Sequence, residues 1–241
     1  MYKDTMTRGE WILYFDILSM LFYCIAYIDC IRIGVKHKTY CVPFFAICMN
    51  ICWESWAIVD FAIHGETELW YYVVDTSWVM LDVFVVYTYI KYGRLELSRM
   101  KSLLKCSKIS SIDVNLLFKL RIVIEPIFVV ITLIICYIYF NLWKVYFAFV
   151  DNLIYSALYI IMLYIRRGSR GQSMSIAICK GIGTFAATIN TGFITHYMPI
   201  CIIGMLCFLF DIIYIILLNR TIQAEKAVAL SPKNKKKQNA S

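Results

Sequence analysis

The sequence predicts an all-α membrane protein, a bundle of seven transmembrane helices. Its amino terminus is expected outside or in the lumen and its carboxyl terminus in the cytoplasm. Three observations predict this. The hydrophobic fraction is 61% over 241 residues, and it arrives in blocks of about 20 residues, the length that crosses a hydrocarbon layer. Phe, Tyr and Trp make up 16% of the chain and crowd the block ends, where interfacial aromatics belong. The basic residues fall in alternate links, which fixes an orientation.

Seven spans follow, near 11–33, 40–63, 70–90, 120–140, 143–165, 174–194 and 197–219. In lipid every backbone polar group must be paired within the segment, so each block reads as a helix. The first link carries Arg32, Lys36 and Lys38, and the third, from Lys91 to Arg121, carries eight Lys or Arg. The fifth has Arg166, Arg167 and Arg170, and six more follow Asn219. That is 20 of the 24 basic residues on one side, against Lys3, Arg8 and Lys144 on the other. An even number of spans would put the basic tail on the wrong side. The stretch Ser98–Leu120 mixes Lys, Ser and spaced Leu, and is expected to lie partly helical on the cytoplasmic surface. One domain is expected over 1–230, followed by a basic disordered tail over 231–241 that can touch anionic lipid.

The net charge of +8 does not point to nucleic acid, because its distribution is that of membrane topology. The ten Cys include no CxxC pair and lie almost all in apolar blocks. They read as small core residues rather than a disulfide or metal framework. The first block is long enough to span and has no small-residue cleavage site after it, so no cleavable signal peptide is expected.

Nine acids fall inside the spans: Asp16, Asp29, Glu54, Asp60, Asp75, Asp82, Glu125, Asp151 and Asp211. Each costs at least a few kcal/mol at mid-membrane, and Lys180 is the single basic residue inside a span away from its ends. Several acids must therefore be neutral, hydrogen-bonded or facing a polar cavity. A neutral carboxylic acid in an apolar pocket is a usable Brønsted acid. Asp16, Asp29, Asp60 and Glu125 lie near span ends and read as interfacial or structural. Asp151, followed by Asn152, reads as a helix cap or bridge. Glu54, Asp82 and Asp211 fall in the middle third of their helices. Asn50 and Glu54 share a face at a spacing of four, as do Asp75, Trp78 and Asp82 at three and four. Asp211 and Tyr214 are three apart. These stripes place acids and π-faces on one wall of a cavity, or else bridge helices within the bundle. Lys180 is expected to pair with a carboxylate at similar depth, Asp211 or Glu125.

The chain has no DDxxD, DxDD, HExxH, GxSxG or P-loop, and no zinc or di-iron ligand set. No metal and no cofactor are expected.

Four patches resemble a known family. Asn50-Ile-Cys-Trp53-Glu54 resembles the N-x-x-W-E of the small membrane terpene cyclases of fungal meroterpenoid and indole-diterpene pathways, whose bacterial relatives make indole sesquiterpenes. Trp78-Val-Met-Leu81-Asp82, with Tyr87 and Lys91-Tyr92-Gly93, looks like that family's third span. Arg167-Gly-Ser-Arg170-Gly171-Gln172-Ser173, with Ala177, Lys180 and Gly183-Thr184, looks like its fifth loop and sixth span, and Phe210-Asp211-Ile-Ile-Tyr214 looks like its last. The resemblance implies that Glu54 and Asp211 are catalytic. It implies a metal-free reaction in which an acid protonates an epoxide or alkene of a prenylated aromatic or indole, and the polyene closes through carbocations. Glu54 is the expected donor. Asn50, Trp53, Trp78, Asp82, Asp75 and Tyr214 are expected to bind substrate and stabilise cations, with Lys180 in support. The implied partners are a prenylated small molecule, membrane lipid, and a prenyltransferase and an epoxidase of the same pathway. The location would be the endoplasmic reticulum in a eukaryote or the plasma membrane in a bacterium. The alternative is a proton-coupled small-molecule transporter, since intramembrane acids also mark ion paths.

Overall fold

A computed structural model describes residues 7–64, 69–104, 113–140 and 143–230. Among the described residues it is helical apart from short links, in seven helices. They are α1 (Arg8–His37), α2 (Phe44–His64), α3 (Leu69–Leu104), α4 (Val114–Phe140), α5 (Trp143–Arg166), α6 (Met174–Thr188) and α7 (Met198–Leu230). A π-helical stretch, Ile189–Ile194, continues α6. α1, α2, α3, α5 and α7 are long and apolar enough to cross a membrane. α4 has 27 residues, about 40 Å at 1.5 Å per residue. α6 reaches spanning length only together with its π-helical continuation.

Local chemistry sets the ends. Thr7 and Glu10 form a capping box at the start of α1, satisfying amides the first turn leaves free. Lys38 closes α1 in the left-handed region at φ 50°. Ser173 caps α6 by accepting from the Ile176 amide at 3.1 Å. Pro199 sits in the first turn of α7, where its missing N–H costs no helical bond.

α1 packs on α6, α6 on α7, α5 on α7, and α2 on α3, α4 and α5. Large apolar side chains remain outside, among them Ile124, Ile127, Phe128 and Ile131 on α4 and Ile202, Leu209 and Ile216 on α7. Such a surface is what lipid covers.

One end of the bundle is tied by polar bonds. Arg170, in the link before α6, donates to the His37 carbonyl at 2.7 Å and to Glu96 of α3 at 2.7 Å. Arg99 donates to the same Glu96 oxygen at 2.7 Å. Arg166 donates to the carbonyls of Arg170 and Tyr40 and lies over the Tyr40 ring at 4.3 Å. Ser169 donates to Glu225 of α7 through its amide at 2.8 Å and its hydroxyl at 2.5 Å. Gly171, at φ +72°, lets this link pass close to Arg166 and Tyr40. The basic links thus meet at one face, as their alternation along the chain requires.

Three helices, α3, α4 and α7, outrun the sequence expectation. α3 continues unbroken to Leu104 and α4 begins at Val114. Ser98–Leu104 is therefore the end of a long helix held by Glu96, Arg99 and Arg170, not a separate surface segment. α7 runs on to Leu230. Glu66 and Glu68, and the tail from Ser231, lie outside the described residues.

Candidate active site

The acid centre forms between α2 and α3. The Asn50 amide nitrogen lies 2.7 Å from Glu54 Oε1, 2.9 Å from Asp82 Oδ2 and 2.7 Å from the Tyr27 hydroxyl. An amide NH2 has two hydrogens. Asn50 can give one to each carboxyl, leaving the Tyr27 hydroxyl hydrogen for Asp82, with which it also interacts. The Glu54 and Asp82 carboxyls interact with each other as well. Glu54 and Asp82 are almost fully enclosed, at 3% and 0% exposure. Glu54 Oε2 has no hydrogen-bond partner among the described residues. The spacing of Asn50 and Glu54 on α2 makes one bond; the third member comes from the next helix.

The second centre lies between α5, α6 and α7. Lys180 Nζ donates to Asp211 at 2.8 and 3.1 Å and to Ser156 Oγ at 2.7 Å. Lys180 and Asp211 are both buried. Of the two partners expected for Lys180, the structure selects Asp211. Glu125 pairs instead with Arg121, one turn away on its own helix.

Both centres border a cavity of about 430 Å³. It follows α1 from Asp16 to Cys30, about 21 Å of helix. Asn50, Trp53, Glu54, Asp75, Trp78 and Lys180 line it. Asp82, Asp211 and Tyr214 are not lining residues. Asp82 stands behind Glu54, and Asp211 stands behind Lys180. Tyr214 donates to Gln172 at 2.8 Å and lies against Tyr159, ring centres 5.2 Å apart, so Tyr159 carries the π-face that meets the cavity.

Several lining residues escaped sequence reasoning. Tyr23, Tyr27, Phe149, Tyr155 and Tyr159 add π-faces from α1 and α5. Asn152 donates to the Tyr23 hydroxyl at 2.6 Å, and Tyr23 meets Thr184 at 2.9 Å. Asn190, in the π-helical turn, donates to Asp16; both line the cavity. Such turns recur at functional sites because the extra residue redirects side chains. Asp151 also lines the cavity, at 2% exposure, and its Oδ1 has no hydrogen-bond partner among the described residues. For all of these but Phe149, the only sequence signal was polar character inside apolar blocks.

The fold and site define a class: an all-helical membrane protein whose interior cavity joins carboxyl groups, one lysine and a wall of aromatic rings. The pattern of the Pyr4-like transmembrane terpene cyclases matches residues 9–224, and the chain belongs to that family. Two curated relatives match in part. Terpene cyclase pyr4 of Aspergillus fumigatus is 29% identical over 92 residues, covering 38% of this chain and 36% of that protein. Terpene cyclase esdpB of Penicillium shearii is 28% identical over 72 residues, covering 30% of this chain and 28% of that protein. The match thus spans about a third of the length of each relative. No solved structure matches the chain.

Proposed function

We propose that this protein is a metal-independent membrane terpene cyclase of meroterpenoid metabolism, in which Glu54 protonates an epoxide or alkene of a prenylated aromatic or indole. The observation that carries the reading is Glu54 itself. It is buried, lines an aromatic cavity, and keeps one oxygen unpartnered while its other oxygen accepts from Asn50, which also donates to Asp82. Two buried carboxyls that meet at one nitrogen cannot both carry charge at low cost, so one proton is held between them. Glu54 lines the cavity and Asp82 does not, which makes Glu54 the donor of the pair. Asp82 and Asn50 position it and take up the charge left after transfer.

Protonation opens the epoxide or alkene, and the chain closes ring by ring as π-bonds attack the cation. Trp53, Trp78, Tyr23, Tyr27, Tyr155 and Tyr159 present faces to that charge, each worth about 0.5–2 kcal/mol. The interior excludes water that would quench the cation, and a prenylated substrate reaches it from lipid. The paired carboxylate of Asp211 cancels the Lys180 charge, which would otherwise repel a passing carbocation. Asp211 thus acts through Lys180 as a positioning residue. Lys180 supports the site by holding the α5–α6–α7 corner.

A cavity of about 430 Å³ lies within the range of small-molecule sites, roughly 300–1,000 Å³. A prenyltransferase must make the substrate and, for an epoxide start, an epoxidase must activate it. The basic end of the bundle faces the cytoplasm, in the endoplasmic reticulum of a eukaryote or the plasma membrane of a bacterium.

The test is conversion by the full chain in membranes lacking such enzymes, with plain and epoxidised farnesyl and geranylgeranyl aromatics and indoles. A product of unchanged mass and shifted retention, formed with chelator and without a pH gradient, is expected. Gradient-dependent flux with no conversion would replace the reading with a carrier.

A further inference from the structure

Glu54 explains how a cation cascade starts but not how it stops. The side chain placed to stop it lies on the α5 wall. Asp151 is 2% exposed, lines the cavity, and has Oδ1 without a hydrogen-bond partner among the described residues. A buried acceptor left unpaired costs about 1–3 kcal/mol, so a purely structural Asp151 would be expected to bond its neighbours. The neighbouring Asn152 does so, donating to Tyr23 and Thr184. Asp151 and Tyr155 are four apart on α5 and both line the cavity, so they share a face.

The geometry points to Asp151 as the base that ends the cascade, on the α5 wall of the same cavity that Glu54 lines from α2. This rests on the cyclase reading. The carboxylate takes the proton from a carbon next to the last cation. The C–H bond breaks, its electron pair becomes the new C=C bond, and the cation is quenched. The proton supplied by Glu54 is balanced by the proton taken by Asp151, so product and substrate are isomers. The carboxylate also attracts the cation before deprotonation and holds it near Tyr155, which selects the hydrogen that leaves.

The test compares wild-type protein with Asp151→Asn, which keeps size and polarity but cannot take the proton. Both are first checked for insertion and unfolding temperature. Substrate that wild-type protein converts to one isomer should still be consumed by Asp151→Asn. The product should spread into double-bond isomers and a species heavier by one water. A cyclic tertiary ammonium analogue of the last cation should bind Asp151→Asn at least about tenfold more weakly, from loss of a charge contact. Its neutral carbocyclic counterpart should bind both proteins equally. The same single product from the variant, or equal weakening of both analogues, would overturn the assignment. So would complete loss of consumption in a folded variant, which would place Asp151 in initiation. Absence of conversion by wild-type protein itself would fail the cyclase reading, and this proposal with it.

Discussion

Asp211 offers the sharpest separation of structure from chemistry. It lies behind the cavity wall and holds Lys180 Nζ at 2.8 and 3.1 Å, with side-chain exposures of 6% for the lysine and 1% for the aspartate. Replacing one member of a buried pair leaves the other charge uncompensated, at about 3–5 kcal/mol. Asp211→Asn is therefore expected to lower the unfolding midpoint in nanodiscs by about 6–20 °C, at roughly 2–4 °C per kcal/mol for a chain of this size. Its chemical effect is separate. An uncompensated ammonium about 6 Å from a carbocation, at an effective dielectric of about 20, adds roughly 3 kcal/mol to the barrier, about a hundredfold in rate. The double variant Lys180→Met, Asp211→Leu removes both charges and should recover stability to within about 1 kcal/mol of wild type. Its turnover should exceed that of Asp211→Asn, because nothing positive is left beside the cation. Thermal unfolding and single-turnover product formation, measured on all three proteins, complete the cycle. If the double variant is as slow as Asp211→Asn although it is stable again, Asp211 acts in chemistry directly and the argument from charge cancellation is wrong.

Three further outcomes follow from the geometry. Trp78→Leu should slow product formation by about 2- to 30-fold, the loss of one cation–π contact, and an unchanged rate would remove Trp78 from the cation path. Asp82→Asn should slow turnover while leaving affinity for a neutral substrate analogue intact, because Asp82 touches Glu54 and not the cavity; a purely binding defect would refute that placement. Gly171→Ala forces a Cβ to within 2.5 Å of Arg166 Nη1 and 2.8 Å of the Tyr40 carbonyl at a positive φ. It should lower stability by about 1–3 kcal/mol, read by thermal unfolding, with the product pattern unchanged.

Much of the fold was legible because lipid imposes a coarse code. Apolar blocks of spanning length and alternating basic links specify the helices before any contact is known. Helix ends were less legible, since charges after Tyr92 suit a helix leaving the membrane as well as a surface segment. α3 continues because Arg99 and Arg170 share Glu96, a contact between distant parts of the chain. The site was legible where its members share a helix. Asn50 and Glu54 announce their bond by spacing, while depth narrowed Lys180 to Asp211 or Glu125 and only the packing of α6 on α7 selects Asp211. Periodicity gives the face of a helix but not how many layers stand between that face and a cavity. Asp82 and Tyr214 therefore appeared as lining residues and are found one layer behind. Asp151 was hidden for the opposite reason. It has no acidic partner at three or four residues, and its position becomes clear only when α5 meets the cavity wall.

The central claim is that the buried Glu54 carboxyl starts a cyclisation. The measurement that tests it most directly is product formation by Glu54→Gln beside wild type, in the same membranes and with the substrate that wild type converts. Gln keeps the size and can still accept from Asn50, so insertion and unfolding temperature should be unchanged. With the proton gone, the isomer should fall by at least about a hundredfold, the contribution of a positioned acid. Wild-type yields from a correctly inserted Glu54→Gln protein would contradict the account.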